Sequence, residues 1–365
     1  MARTMQEILA ILDELVRIGA PTFQERRRAD FVHSWLARNA PGAILGHDEE
    51  GNVWADLSDG VEKVHLFDAH TDTVFPDEAV EIRKEPERWH APGIFDDTVA
   101  CALLMEWVRR TAARGEKVPF LVTFTVGEEG EGNLLGARRM AAQFRERALD
   151  ACCFDLGMAF GSHTAVGSLR HEVSLGVQGG HSWGDFGRPN ALHEAARWIM
   201  TLEAAFPWKK GEQTFNVGTM EGGTGVNVIA ATARFKLDAR STSPAFLARY
   251  EAWLREQEGL FSARDDLSFS LREIGRRPAG GLSAFGAEGE RLIGLMEAVN
   301  HELGLPLEWA CYSTNGNAFL DKGVPTVVTG LADGDGVHTR SEYLELASVA
   351  RGWEKLERIA QKLLD

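Results

Sequence analysis

The chain lacks a C-x-x-C pair, a long hydrophobic run and an excess of positive charge, and each absence removes a class of function. Its four cysteines, Cys101, Cys152, Cys153 and Cys311, form no metal-binding or redox pair. With Cys152 and Cys153 adjacent in an apolar stretch, they read as reduced, structural thiols. No apolar run approaches the roughly 18 residues a membrane span requires. The 39 basic side chains are outnumbered by 54 acidic ones, for a formal charge of -15 without any basic patch. Nucleic-acid backbones and anionic membranes would be repelled, so neither is expected as a partner. The opening segment "MARTMQEILAILDELVRIGA" is amphipathic, carries Glu7, Asp13 and Glu14, and shows neither a secretory apolar stretch nor a cleavage site. A cytoplasmic location is the expectation. No internal repeat or low-complexity tract is present.

What remains is an ordinary globular composition, 44% hydrophobic and 25% charged, in 365 residues, a length that favours two domains. Helical periodicity covers about 4–18, and a second helix opens in "PTFQERRRADFVHSWLARN", where Thr22 and Glu25 have capping-box spacing. Strands are expected at 52–57, 63–69, 119–126 and 151–155, with helices at 97–114 and 133–147. From about residue 170 the rhythm becomes strand, helix, strand, strand, helix, strand, with "NVIAATARFKLDAR" as the third of its four strands and "LSFSLREIG" as the last. Alternation then resumes, with a helix at 287–303, a strand at 324–330 and a final helix from about 344. The fold class is therefore α/β with a mixed sheet and an inserted α+β unit of β-α-β-β-α-β order. The expected boundaries are 1–168, 169–277 and 278–365.

Titratable residues gather where buried strands end. "HLFDAHTDTVFP" places Asp68, His70 and Asp72 on alternate positions, and an extended chain would put them on one side. H-x-D suits a metal-bound imidazole whose second nitrogen is oriented by a carboxylate. A solvated strand end accounts for the same pattern. "GIFDDTVACALLMEW" puts Asp96 and Asp97 at a helix entry, where one of them could simply cap. "LVTFTVGEEGEGNLLGARRM" leads to Glu128, Glu129 and Glu131 before a helix that favours acidic residues anyway. "ACCFDLG" ends in Asp155, and "PTVVTGLADGDGVHT" leads into a loop with His338. Taken together, five strand ends would deliver His, Asp, Glu, Asp and His to the crevice where α/β sheets bind ligands. Such donors without thiolate suit Zn²⁺, with Mn²⁺ or Co²⁺ as alternatives, and five exceed the need of one catalytic ion.

H-T-D, G-I-F-D-D, G-E-E-G, F-D-L-G and G-V-H-T-R-S-E-Y, in this order, resemble the co-catalytic zinc peptidase family that includes peptidase T, aminoacylases, acetylornithine deacetylase and bacterial glutamate carboxypeptidases. The resemblance implies two divalent ions. His70 and Asp155 would hold one, Glu129 and His338 the other, and Asp96 would bridge. Asp72 would orient His70, and Glu128 would be the general base. It further implies that the insertion is a lid and dimerisation domain of a homodimer. There His181 would stabilise an oxyanion in the neighbouring subunit's site, while Asn227 and Arg240 would contact substrate carbonyl or carboxylate groups. Two positions depart from the family pattern. After Asp96, relatives often show Lys and small residues where this chain has Asp97, Thr98, Val99 and Ala100. Relatives also often show S-T-D-A-N where this chain has Ser313, Thr314, Asn315, Gly316 and Asn317.

The expected activity is hydrolysis of amide bonds in short peptides, with N-acyl amino acids as the alternative substrate. Two further readings compete. One is a homologue that binds metal or peptide without turnover. "GHSWG" at 180–184 has the nucleophile-elbow spacing around Ser182, but Gly184, Gly187 and Pro189 oppose the helix that an elbow requires. "DGDG" at 333–336 fails as a calcium loop because Leu344 stands where the bidentate Glu belongs.

Overall fold

A computed structural model describes residues 2–115, 117–155 and 157–365; Met1, Glu116 and Leu156, the last within the F-D-L-G segment, lie outside the described residues. The chain forms two compact units, Met1–Ala165 with Gly281–Asp365, and Val166–Gly280.

The larger unit is built on a mixed sheet. Val64–His70 lies between Phe120–Thr125 and Ala148–Phe154, and Thr326–Thr329 follows, all four strands parallel. Val64–His70 and Phe120–Thr125 are buried along their whole length. That explains their continuous apolar runs, since a parallel strand is covered on both faces. Antiparallel strands Val53–Asp56, Ile44–His47 and Phe160–Ala165 flank the parallel set. Helix Val99–Ala113 packs across the sheet with nearly all its residues buried. Phe67 joins sheet to helix, its ring centroid 5.3 Å from Trp107 and 5.0 Å from Phe120. Helix Ala2–Arg17 buries Ile8, Ile11, Leu12 and Leu15 on one face, as its 3-4 spacing dictates.

The inserted unit is a four-stranded antiparallel sheet in the order Gln213–Gly222, Thr232–Ser241, Gly167–Gly176 and Ser268–Arg277. Thr232–Ser241 alternates, with Ala233, Phe235, Leu237 and Ala239 turned to the core. Helices Ala191–Ala205 and Pro244–Ser262 contribute Trp198, Phe246, Tyr250 and Leu254 to that core. The first is capped by the Asn190 side chain and the second by Ser243, with Pro244 in its first turn.

Two expectations change, and the argument against the nucleophile elbow is borne out. "NVIAATARFKLDAR" is not one strand: Val228–Ile229 pairs with Gly180–His181, and only Thr232–Ser241 joins the sheet. Between them Ala230 and Ala231 spend their carbonyls on Ala191 and Val177, which turns the chain. The Thr22–Glu25 capping box does not form either. Helix Arg26–Asn39 has Glu25 at its N-cap without a side-chain bond, because both side chains have partners elsewhere. Finally, Ser182 is followed by turns and not by a helix, which starts at Ala191, so the nucleophile elbow is excluded.

A candidate two-metal centre

The parallel strands bring their carboxyl ends to one edge of the sheet, and there the sequence-predicted residues of the larger unit converge. His70 is the last residue of its strand, and Asp155 follows directly after Phe154. Glu128 and Glu129 lie just beyond Thr125. Asp96 and His338 do not come from ends of the main sheet, a correction to the five-strand-end picture. Asp96 sits in the irregular turn Ile94–Thr98, and His338 follows the short strand Gly334–Asp335. A separate small sheet unites their loops: Gly334–Asp335 pairs with Tyr343–Glu345, which pairs with Arg88–His90. Strands of two and three residues show no periodicity, so sequence patterning could not reveal them.

Asp96 divides its carboxylate between two imidazoles. Oδ1 lies 3.1 Å from His70 Nε2, and Oδ2 lies 3.1 Å from His338 Nε2. His338 Nε2 is also 2.8 Å from Glu129 Oε1. Ligand atoms of His70, Asp96 and Asp155 gather within 4.8 Å of one another, as do those of Asp96, Glu129 and His338. A third group, His70, Glu128 and Glu129, shows that Glu128 faces the same space. Two sets of nitrogen and carboxylate donors sharing one carboxylate fit two borderline divalent cations. The electrostatics agree with such a demand for positive charge. Hydrogen bonds to Asp96 and Glu129 hold the His338 ring up at about 10, outweighing its partial burial. Burial works to raise Asp96, but its bonds from His338 and His70 hold it well below the usual carboxylate range.

The residues around the donors are locked. Asp72, 0% exposed, accepts the amides of Glu128 at 2.9 Å and Glu129 at 3.0 Å and the Thr22 hydroxyl at 3.0 Å. Burial opposes its ionisation, yet the His70 contact and those amides leave its carboxyl below the ordinary value. His70 Nδ1 lies 3.1 Å from the Asp72 carbonyl and 3.5 Å from its carboxylate, so the nearer acceptor is the backbone. Asp97 turns inward: its Oδ2 accepts the His70 amide at 3.2 Å, and it caps no helix through its side chain.

Several residues carrying this arrangement escaped the sequence reading. The Glu25 carboxylate accepts the Gly127 amide at 3.1 Å, which fixes the residue before Glu128. The buried Arg28 guanidinium donates to the Thr71 carbonyl at 2.8 Å and to the Thr98 hydroxyl at 3.1 Å. Asp68, read as part of the alternating set, joins none of the three donor groups: it accepts Thr123 Oγ1 at 2.6 Å and Asn315 Nδ2 at 2.8 Å. The chain's departure at Asn315 thus has a physical partner, because a carboxylate there would face Asp68 in a fully buried site. Burial already pushes Asp68 up to about 6 against its hydrogen bonds. An Arg inside an otherwise amphipathic helix was the one visible signal.

His181, Asn227 and Arg240 belong to the inserted unit. His181 is exposed, and its Nδ1 accepts the amides of Trp183 and Gly184 at 3.2 Å each, which leaves the ring proton on Nε2. The Asn227 carbonyl accepts the Ser182 amide at 3.0 Å, and Arg240 Nε donates to Asp238 Oδ2 at 2.8 Å.

Comparison with known proteins identifies the family and the fold. Acetylornithine deacetylase of Myxococcus xanthus is 25% identical over 388 residues, 96% of each chain. Among solved structures the fold is similar to that of a tripeptidase from Staphylococcus aureus subsp. aureus Mu50, with a TM-score of 0.79 and 18% identity over 98% of both chains. It is also similar to aminopeptidase PepT from Bacillus cereus ATCC 10987, with a TM-score of 0.77 and 19% identity over 99% of both. A dinuclear metal binding peptidase from Bacillus subtilis shares the fold at a TM-score of 0.67 and 15% identity, covering 100% of this chain and 99% of its own. Residues 66–362 match the profile of Peptidase family M20/M25/M40, from the strand that bears His70 into the final helix, and the chain is accordingly a hydrolase belonging to that family.

Proposed function

We propose that this chain hydrolyses amide bonds of short peptides with two divalent cations, most simply Zn²⁺, held by His70 and Asp155, by Glu129 and His338, and jointly by Asp96. The observation that carries the reading is the split carboxylate of Asp96, one oxygen 3.1 Å from each of two imidazoles. When bound, the cations supply Lewis-acid polarisation of the scissile carbonyl and bring a water's pKa toward neutrality. The chain's own residues do the rest. Glu128, 5% exposed, takes the proton of the attacking water and passes it to the departing amine. Its backbone amide is held by Asp72, which anchors the carboxylate beside the donors of His70 and Glu129.

In the inserted unit, His181 presents an Nε2–H donor suited to a developing oxyanion, supplied to the partner protomer of a homodimer. Arg240 offers the planar fork that matches a peptide carboxylate, with Asn227 directed at a substrate carbonyl. The unit acts as lid and dimerisation domain in this reading. Likeness to a tripeptidase and to PepT supports peptides as substrates. The 25% identical deacetylase supports a second reading, removal of an acyl group from an N-acyl amino acid. A panel of free dipeptides, tripeptides, N-acetyl and N-succinyl amino acids, assayed with zinc- and cobalt-loaded protein, separates the two. Turnover confined to acylated amino acids overturns the peptidase assignment, and failure to take up two cations overturns the centre itself.

A further inference from the structure

Glu342 is completely buried, and among the described residues its carboxylate is bonded to three backbone N–H groups. Oε2 accepts the Gly93 amide at 2.8 Å; Oε1 accepts those of Phe95 at 2.9 Å and Asp96 at 3.0 Å. Its own carbonyl accepts the Ala91 amide at 3.2 Å, so one residue holds the 91–96 loop at four points. The loop needs such a partner. The turn Ile94–Thr98 has no side-chain cap from its own N-cap residue, Gly93, and Asp96 and Asp97 depart from helical geometry. Amides at a buried helical start are costly to leave unpaired. Gly93 has φ +71°, and a Cβ there would meet Thr73 Cγ2 at 2.3 Å, so the backbone path is fixed closely. On its other side Glu342 is four residues from His338, and its amide donates to the Thr339 carbonyl at 3.2 Å.

We propose that Glu342 is a positioning residue that sets the spacing between the Asp96 loop and the His338 segment, and thereby the affinity of the second of two divalent cations. The inference rests on the dinuclear reading above. It follows from an asymmetry: His70 ends a strand of the main sheet and Asp155 directly follows one, whereas Asp96 and His338 lie on loops tied to each other by the small sheet and by Glu342, across some 250 residues of chain. In Glu342→Gln the shape is kept, but an NH₂ must face at least one backbone N–H, donor against donor. In Glu342→Asp the charge is kept and the reach falls by about one C–C bond, roughly 1.5 Å.

The test is titration of metal-free protein with Co²⁺ and Zn²⁺ by calorimetry, together with the visible absorption of bound Co²⁺. Wild type is expected to take up two equivalents. Glu342→Gln is expected to bind the second about 10- to 100-fold more weakly, with a smaller loss at the first, which shares Asp96 but keeps His70 and Asp155, and to regain kcat when the cation is raised to saturation. Glu342→Asp should fall between them, and it serves alone if the Gln variant does not fold. A purely structural role predicts lowered thermal stability with both affinities unchanged; that outcome overturns the assignment. Fewer than two equivalents in wild type overturns the dinuclear reading and this assignment with it, whereas two in wild type and two unchanged in both variants overturns the assignment only.

Discussion

In the inserted unit the centre is a cluster of rings, with Trp198 5.5 Å from Phe235 and Phe206 5.4 Å from Phe246 by ring centroids. In the larger unit Arg28, Asp68, Asp72, Asp97, Glu128, Glu342 and Lys355 are each no more than 5% exposed. Apolar packing is non-directional, and its contribution scales with the area removed from water. A buried charge is tolerable only while each of its partners stays in place. The comparison teaches where this protein is conditional: the unit that carries the candidate centre leans most on protonation and cations. The ring-packed unit, which among its described Asp, Glu, His, Lys and Arg side chains buries only Arg277 and His171 to the same extent, leans on them less.

The largest expected effect comes from removing divalent cations. Chelation should abolish turnover and withdraw about 4 kcal/mol of stability for each ion that had been held at a thousand times its Kd. Hydrogen exchange should rise in residues 70–73 and 93–98 and stay unchanged in Thr232–Ser241; equal loss in both units would break the contrast. Next, Glu128→Gln should slow turnover by about 10²- to 10⁴-fold while two cations remain bound, read by elemental analysis beside steady-state kinetics. Trp198→Ala should destabilise by about 3–5 kcal/mol in denaturant melts, with protection lost in Gly167–Gly176 and cation stoichiometry intact. A drop in stoichiometry would show that the ring cluster also shapes the centre.

The smallest effect concerns Lys355, whose ammonium donates to the Met158 carbonyl at 2.9 Å and Thr329 Oγ1 at 2.6 Å from within the core. Burial pulls it down from 10.5 to about 8, against the pull of Cys152 and Asp333. Between those values the unfolded chain binds the extra proton, so stability rises with pH across that window, and the full penalty is felt below it. The stability gap between wild type and Lys355→Met should move toward wild type by about 2 to 3 kcal/mol between pH 7 and 10. A gap independent of pH would mean the ammonium is solvated.

Much of the framework was legible because burial writes itself into composition. Val64–His70, Phe120–Thr125 and Ala148–Phe154 are apolar runs that stop at titratable residues, and they mark one edge of the sheet in the sequence itself. The inserted unit was legible through alternation in Thr232–Ser241 and helical spacing in Pro244–Ser262. What was not legible had no local signature. Thr22 and Glu25 have capping-box spacing, yet they bond to Asp72 and Gly127, contacts separated by 50 and 102 residues. Asp68 shares the alternation of His70 but answers to Asn315, 247 residues away.

By itself the sequence determined which elements form, which faces are buried and which donor types await at the strand ends, because periodicity and hydrophobicity act over a few neighbouring residues. Only the tertiary structure decided that Asp96 lies between His70 and His338, that Asp97 turns inward to a backbone amide, and that Glu342 holds the Asp96 loop. Those outcomes depend on contacts whose partners are brought to 2.8–3.2 Å by the packing of distant segments, and no local pattern encodes a distance across the fold.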